Sequence, residues 1–258
     1  MARPYASYRG TPVPCVDAHE MQLIDQMMAD DYGVSLAHMA ESAGLALAAL
    51  AFRMLRGHTG LPVVVLVGKG GNGSGAMIAA RRLAAWGFKM HVVLSEAGLA
   101  EPSCTLRATL DSMGLPVTAY AAAYGQRIEE ELRTAPLVID GLVGYSLRGV
   151  PHGSVADLIR CTHGAARTLS LDVPSGLDPT TGVPQDPAVR AEATLTIALP
   201  KSGLLKQAAR PHVGRLYLAD IGVPTKVYSR LGIEVPQIFD GRAFLRITRG
   251  SAEVGAPN

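Results

Sequence analysis

VVVLVGKGGNGSGAM, residues 63–77, decides how the rest of the chain reads. An uninterrupted apolar run, Val63 to Val67, leads into a stretch where glycine recurs at 68, 70, 71, 73 and 75, and an Ala-rich segment follows. A continuous β-branched run marks a strand covered on both faces. A glycine-rich turn between such a strand and a helix lets a ligand approach the backbone and leaves N–H groups open for a phosphate. Gly68-Lys69-Gly70-Gly71-Asn72-Gly73 satisfies GxGxxG, which alone is a weak signal, and Lys69 stands too early for a mononucleotide loop. The rest of the chain has to say whether the turn holds a phosphate or only reverses the backbone.

Outward from that stretch the chain alternates strand and helix. Strands are expected at 90–94, near Val117, and at 136–141, 168–176, 193–200 and 214–222, with helices over 75–86, 102–113, 125–133 and 154–162. Strands joined by helical crossovers give an α/β fold with a mostly parallel sheet and helices on both faces. Upstream, residues 17–30 place Met21, Ile24, Met27 and Met28 on one helical face, with Asp17 as N-cap and Glu20 at the capping-box position. A second helix from Leu36 to Leu55 is apolar around most of its circumference, so it must pack on the sheet or on a partner subunit. The division expected is one domain over 1–235 and a tail over 236–258, whose end, GSAEVGAPN, reads as frayed or disordered.

Composition excludes several classes of function. With 48 % hydrophobic and 18 % charged residues, the 258-residue chain has enough apolar side chain for a full core. A net charge of +2, without a dense basic run, gives no reason to expect a nucleic-acid partner. No apolar stretch reaches membrane-spanning length. Cys15, Cys104 and Cys161 are odd in number and form no CxxC pattern, which suits a reducing compartment and a cytoplasmic location.

In an open parallel sheet, ligands bind beyond the carboxyl ends of the strands. The residues expected there are the 68–76 turn, Asp140, Asp172 and Lys201. Asp140 and Asp172 end consecutive strands and are expected to share one cleft. Paired carboxylates either hold a cation or push one proton affinity upward. A lone aspartate at a strand end can equally be a cap or turn residue, a reading that Pro174-Ser175-Gly176 and Asp178 weaken for Asp172. Lys201 is either an exposed lysine without a role or one that meets a phosphate or a carboxylate. Asn72 and Ser175 offer neutral oxygens that, with Asp140, suit a hard, weakly charged cation. No GxSxG elbow is present, and His152 is the one histidine placed toward the cleft.

Taken together, VDAHEMQLIDQMMADDYGV (16–34), AESAG (40–44), the glycine turn, VIDGLVGYSLRG (138–149), SLDVPSGLDPTTG (170–182), ATLTIALPKSGLL (193–205) and GRLYLADIGVP (214–224) resemble the YjeF N-terminal domain family. The best-known activity of that family is NAD(P)H-hydrate epimerase, an isomerase that interconverts the R and S hydrates of NADH and NADPH. The resemblance implies a Rossmann-like three-layer αβα sandwich, often a homodimer, with a small-molecule substrate and one potassium ion per subunit. It assigns the potassium to Asn72, Asp140 and Ser175, and catalysis to Asp172, with Lys201 beside it. Substrate binding falls on Gly71, Asn72, Gly73, Ser74 and Gly75, on Gly144, Tyr145, Ser146, Leu147, Arg148 and Gly149, and on Asp172.

The chain departs from the family pattern in places. Where the family's turn ends Gly-Asp-Gly, this one has Ser74, Gly75 and Ala76, and Ser42 replaces an Asn. Losing that Asp removes a carboxylate able to bind a ribose hydroxyl or organise the cleft. Two further readings therefore stay open: an isomerase or lyase with a changed substrate, in which Tyr145 and Arg148 reshape the pocket, and a non-catalytic ligand-binding or scaffolding protein.

Overall fold

A computed structural model describes residues 5–7 and 10–249. Its strands are β1 (Tyr5–Ser7), β2 (Pro12–Val13), β3 (Pro62–Val67), β4 (Lys89–Leu94), β5 (Val117–Ala119), β6 (Leu137–Gly141), β7 (Thr168–Leu171), β8 (Ala193–Ile197), β9 (Arg215–Ala219) and β10 (Phe244–Arg249). They form one sheet in the order β2-β1-β10-β9-β8-β7-β6-β3-β4-β5. From β9 to β5 every pairing is parallel, and β10, β1 and β2 extend the β9 edge antiparallel.

The helices are α1 (Ala18–Asp30), α2 (Leu36–Met54), α3 (Gly71–Ala85), α4 (Ser103–Ser112), α5 (Gly125–Thr134), α6 (Gly153–Cys161) and the short α7 (Arg210–Val213) and α8 (Thr225–Ser229). Strand alternation sorts them into two layers. Val63, Val65 and Val67 join Leu47, Leu50, Met77 and Leu83 in the core under α2 and α3. Val64 and Leu66 face the opposite way, against Ile128 and Leu132 of α5 and Leu158 and Ile159 of α6. On that second face, nearer β9, Met21, Ile24 and Met28 of α1 pack with Leu216 and Leu218. The outcome is an α/β three-layer sandwich with a mostly parallel sheet. Asp17 caps α1 with Glu20 completing a capping box, at 2.8 Å in both directions.

Three elements differ from the sequence reading. The helix expected at 75 begins at Gly71, so the glycine turn is itself the first turn of α3. Glycine is a poor helix former, but a Cβ at Gly73 would lie 1.8 Å from the Gly68 carbonyl oxygen, and close packing overrides propensity here. The strand expected to continue to 176 stops at Leu171, because Asp172 takes a φ of 65°, outside the extended region. The tail expected from 236 is not all outside the fold: Phe244–Arg249 pairs with both β9 and β1. Its alternation, Leu245 and Ile247 on one face and Phe244 on the other, is too short to stand out in the sequence. The expectation for GSAEVGAPN falls outside the described residues.

The α2–α3 crossing depends on one missing side chain. A Cβ at Gly44 would meet Ile78 Cγ2 at 2.5 Å and the Gly75 carbonyl oxygen at 2.8 Å. Gly44→Ala must separate the two helices, since the Gly75 backbone cannot turn aside. The expected loss is about 1–3 kcal/mol of stability, measured by urea unfolding; an unchanged midpoint would show that the crossing has slack.

Candidate functional site

The connections from β3 leave in opposite directions: β4 lies on one side of it and β6 on the other. That reversal opens a crevice at the carboxyl ends of these strands. The two loops touch at its floor, where a Cβ on Gly68 would lie 1.8 Å from the Leu142 carbonyl oxygen. Gly70 is the N-cap of α3 and supplies no side-chain bond, so the first backbone N–H groups of the helix remain open. A cleft of about 540 Å³ lies above them, lined by Lys69, Gly70, Asn72, Gly144, Arg148 and His152 among others.

Beside the cleft, at the end of β7, sits a fully buried ion pair. Lys201 Nζ lies 2.5 Å from Asp172 Oδ1, with the two side chains 0 % and 1 % exposed. The ammonium also donates to the Ile197 carbonyl at 3.0 Å. Thr196 Oγ1 reaches the same Asp172 oxygen at 3.5 Å. The other oxygen, Oδ2, accepts from the Tyr145 backbone N–H at 2.8 Å. A Cβ on Gly144 would fall 2.8 Å from both Asp172 Oδ2 and Asn72 Oδ1, so both oxygens border the space left by that glycine.

Asp140 lies deeper. It occupies a row of buried polar residues on the α5–α6 face of the sheet, in register with Ser170, which is in register with Thr194. Its carboxylate accepts from Ser175 Oγ at 2.6 Å, Ser170 Oγ at 2.8 Å, Ser175 N at 2.9 Å and Leu142 N at 3.2 Å. Burial nevertheless pushes its pKa above the usual carboxylate value, against the pull of these donors. Asp140 and Asp172, expected to share one cleft, both lie behind its lining and do not interact directly. Asp140 sits opposite Ser170 rather than Asp172, and each aspartate has its own partners, the two sets being joined through the 142–145 loop and the 172–175 segment. The upward shift at Asp140 is a burial effect, not repulsion between carboxylates.

Ser175 joins that group with an unequal balance of donors and acceptors. Its one hydroxyl proton faces two acceptors, Asp140 Oδ1 at 2.6 Å and the Val143 carbonyl at 3.1 Å, while Val143 N donates to it at 2.9 Å. Asn72 turns its amide N–H toward the Leu171 carbonyl at 3.0 Å. Its Oδ1 is thereby left toward Gly144. Among the described residues no group of three or more His, Cys, Asp or Glu side chains is placed to hold a metal ion.

Of the other expected residues, Ser146, Leu147 and Arg148 line the cleft with Gly144. Gly71 is exposed at the first position of α3, and Gly149 turns the chain at a φ of 68°. Ser74 and Gly75 do not face the cleft. Ser74 is buried against Ser103 of α4, Oγ to Oγ 2.8 Å, and a Cβ on Gly75 would lie 2.8 Å from Leu171 Cδ2. A carboxylate put back at 75 would enter the core, so its absence empties nothing in the cleft.

Asp25 on α1 was not anticipated. The Tyr145 hydroxyl donates to its Oδ2 at 2.5 Å, and the Tyr145 ring lies 5.6 Å from Lys201 Nζ. Tyr145 is therefore held at both ends, by Asp172 through its backbone and by Asp25 through its phenol. Burial raises the Asp25 pKa, opposed by the tyrosine hydroxyl and the Lys201 charge, and burial also raises that of Tyr145. A signal was available in the sequence: Asp25 is four residues after Met21 and beside Ile24, an acid bordering a buried helical face.

A family profile described as YjeF-related protein N-terminus matches residues 36–203. An NAD(P)H-hydrate epimerase of Dehalogenimonas lykanthroporepellens is 36 % identical over 240 residues, covering 91 % of this chain and 92 % of that protein. A bifunctional NAD(P)H-hydrate repair enzyme of Moorella thermoacetica is 31 % identical over 221 residues, 82 % of this chain but 41 % of that protein. The chain thus spans about two-fifths of that bifunctional relative. Among solved structures, the yeast protein ynu0 superposes with a TM-score of 0.74 at 22 % identity, covering 91 % of this chain and 100 % of the yeast one, a likeness of fold.

The raised Asp25 carboxyl makes a prediction about pH. Its native form holds the proton more tightly than the unfolded chain does, so its contribution to stability falls as pH rises through the window above the ordinary Asp value of about 4. Asp25→Asn keeps an acceptor for Tyr145 and removes the titration. The variant should gain on wild type in denaturant midpoint as pH is raised from about 4 toward 7; a difference constant across that range would contradict the assignment.

Proposed function

The chain belongs to the family of YjeF-related protein N-termini, and on that premise we propose that it is an NAD(P)H-hydrate epimerase interconverting the R and S hydrates of NADH and NADPH. The observation that carries the reading is the buried Asp172–Lys201 pair behind Gly144, a residue lining the cleft whose other wall is the open N-terminus of α3. The first helical N–H groups take the pyrophosphate. Arg148 adds positive charge from the opposite loop.

Asp172 holds and returns the proton, and its atoms divide the work. Oδ1 is committed to Lys201, while Oδ2 has one donor, Tyr145 N–H, and keeps a lone pair toward the space at Gly144. Proton exchange with the hydrated carbon or its hydroxyl therefore runs through Oδ2. Lys201 stays a positioning cation that fixes the carboxylate. The changed residues 74–76 give no support to a different substrate, since Ser74 and Gly75 face inward and a Cβ on Gly141 would lie 2.3 Å from Ala76 Cβ.

A potassium-like ion belongs to the same proposal. Asn72 Oδ1, Asp140, Ser175 Oγ and the Val143 carbonyl would hold it, because two acceptors already compete for the one proton of Ser175. When bound, it supplies positive charge to the buried Asp140 and to the substrate side of the cleft. We further propose a homodimer in the cytoplasm. The buried faces of α1 and α2 are covered within the chain, so the apolar surface offered to a partner includes Leu36, Leu45 and Phe52 of α2 with Trp86, between 37 % and 59 % exposed. All three cysteines are free, and no described helix is long and apolar enough to cross a membrane.

The direct test follows the separated R and S hydrates by chromatography. Wild type should interconvert them, and Asp172→Asn should lose about 10²–10⁴-fold in turnover. Removing one charge of a buried pair also destabilises by about 3–5 kcal/mol. The double variant Asp172→Asn with Lys201→Met removes the unpaired charge and should recover stability without activity. An active Asp172→Asn, or an inert wild type, would refute the proposal. Potassium chloride should raise both rate and melting temperature over tetramethylammonium chloride at equal ionic strength, and Asn72→Ala should abolish the difference; equal effects of the two salts would remove the ion from the scheme.

A further inference from the structure

The strand order fixes which way a dinucleotide lies. Along the carboxyl edge the order is β7, β6, β3, β4, and Asp172 follows β7. With the reacting ring at Asp172 and the pyrophosphate at the start of α3, the remaining half of the molecule must run toward β4. Three strand spacings, about 14 Å, separate β7 from β4. That is room for a pyrophosphate and the sugar beyond it.

Two adjacent residues wait at the end of β4. Ser95 is 3 % exposed, lines the cleft, and its Oγ has no hydrogen-bond partner among the described residues. Its backbone is anchored, since Ser95 N donates to the Val67 carbonyl at 2.8 Å. A buried hydroxyl without a partner costs stability unless something occupies the space it faces. Glu96 is the sole carboxylate lining the cleft, whose other charged or titratable side chains are Lys69, Arg148 and His152. It pairs with Lys69 at 3.5 Å, both side chains well exposed. A carboxylate in a cleft built for an anion is unfavourable unless it receives hydroxyl donors. It also stands 23 residues beyond Gly73, at the end of the next strand, where an acid in doubly wound folds accepts the hydroxyls of an adenosine ribose.

We propose that Ser95 and Glu96 form the subsite for the ribose of the adenosine half, and that Glu96 makes the site prefer an unphosphorylated ribose, hence NADH hydrate over NADPH hydrate. The inference rests on the dinucleotide reading above. Glu96 accepts from the vicinal diol and Ser95 Oγ bonds the same sugar. A 2′-phosphate at that position would bring a dianion against the carboxylate. Lys69 stays tied to Glu96 while the diol is bound, and is released toward a phosphate when the carboxylate is removed.

The test uses two probes that carry the adenosine half without the reacting ring, ADP-ribose and 2′-phospho-ADP-ribose, titrated calorimetrically into wild type, Glu96→Gln and Ser95→Ala. Wild type should bind ADP-ribose about tenfold or more tightly than its 2′-phosphate. Glu96→Gln should erase or invert that ratio, and Ser95→Ala should weaken ADP-ribose binding without lowering the melting temperature of the free protein, since its hydroxyl bonds nothing among the described residues. Equal binding of the two probes by wild type, a ratio unmoved in Glu96→Gln, or no binding of either probe would overturn the assignment. Epimerisation of the two hydrates, run in parallel, separates the questions. Activity on both with no change of preference in Glu96→Gln rejects the subsite and keeps the enzyme. The expected probe ratios without epimerisation keep the subsite and reject the enzyme.

Discussion

The Lys201–Asp172 pair constrains everything around it. An ammonium and a carboxylate, each fully withdrawn from water, are tolerable only while they hold each other and their remaining bonds are filled. That requirement explains local features that otherwise look costly. Asp172 adopts a left-handed backbone and Ala198, at the end of the neighbouring strand, does the same, which turns both chains out of the sheet around the pair. Asp172 N still donates to the Leu195 carbonyl at 2.7 Å, so the turn is tied to β8 although the strand has ended. The 142–149 loop is fixed through Tyr145 N–H, and α1 through Asp25, so the pair organises segments far apart in sequence.

A second constraint is the absence of side chains. Gly68, Gly73, Gly141 and Gly144 each sit where a Cβ would strike backbone or a functional oxygen, and together they bring the α3 turn, the end of β6 and the 142–144 loop into contact. The glycine run at 68–75 thus answers two demands. Its earlier members open the N-terminus of α3 to a ligand, and its later members let that helix lie close to the sheet and to α2. Gly75, which in sequence looks like the position of a lost functional group, belongs to the second set.

Much of this was legible from residues, and the exceptions have physical causes. The parallel core announced itself through unbroken apolar strands such as Val63–Val67, and α1 through its capping box. Strand-end logic put Asn72, Asp172 and Lys201 at the carboxyl edge, where they follow β3, β7 and β8, and the family resemblance supplied the 144–148 loop. The partner sets of the two aspartates were not legible, because register decides them: a shift of two residues along β7 puts Ser170, not Asp172, opposite Asp140. Asp25 was missed because a single acid beside a buried helical face looks like its solvated rim until Tyr145 is brought across from another layer. The strand at 244–249 was missed because its alternation is brief and one of its partners, β1, lies at the other end of the sequence.

The pair also leaves the two oxygens of Asp172 unequally bonded. A carboxylate offers about four acceptor sites. On Asp172, Lys201 and Thr196 take Oδ1, and Tyr145 N–H takes one site on Oδ2. The remaining site borders the volume that a Gly144 side chain would fill, and Asn72 Oδ1 borders the same volume. Gly144 lines the cleft and lies against both oxygens, so it is the residue across which the buried carboxylate and the cleft are nearest each other in the structure's contacts. On the proposed reading, a reacting group at that point meets one acceptor from Asp172 and one from Asn72, while the rest of each side chain is held by the protein. In that arrangement the pair stays buried and charge-balanced, and the missing Cβ leaves Asp172 Oδ2 and Asn72 Oδ1 facing one shared point.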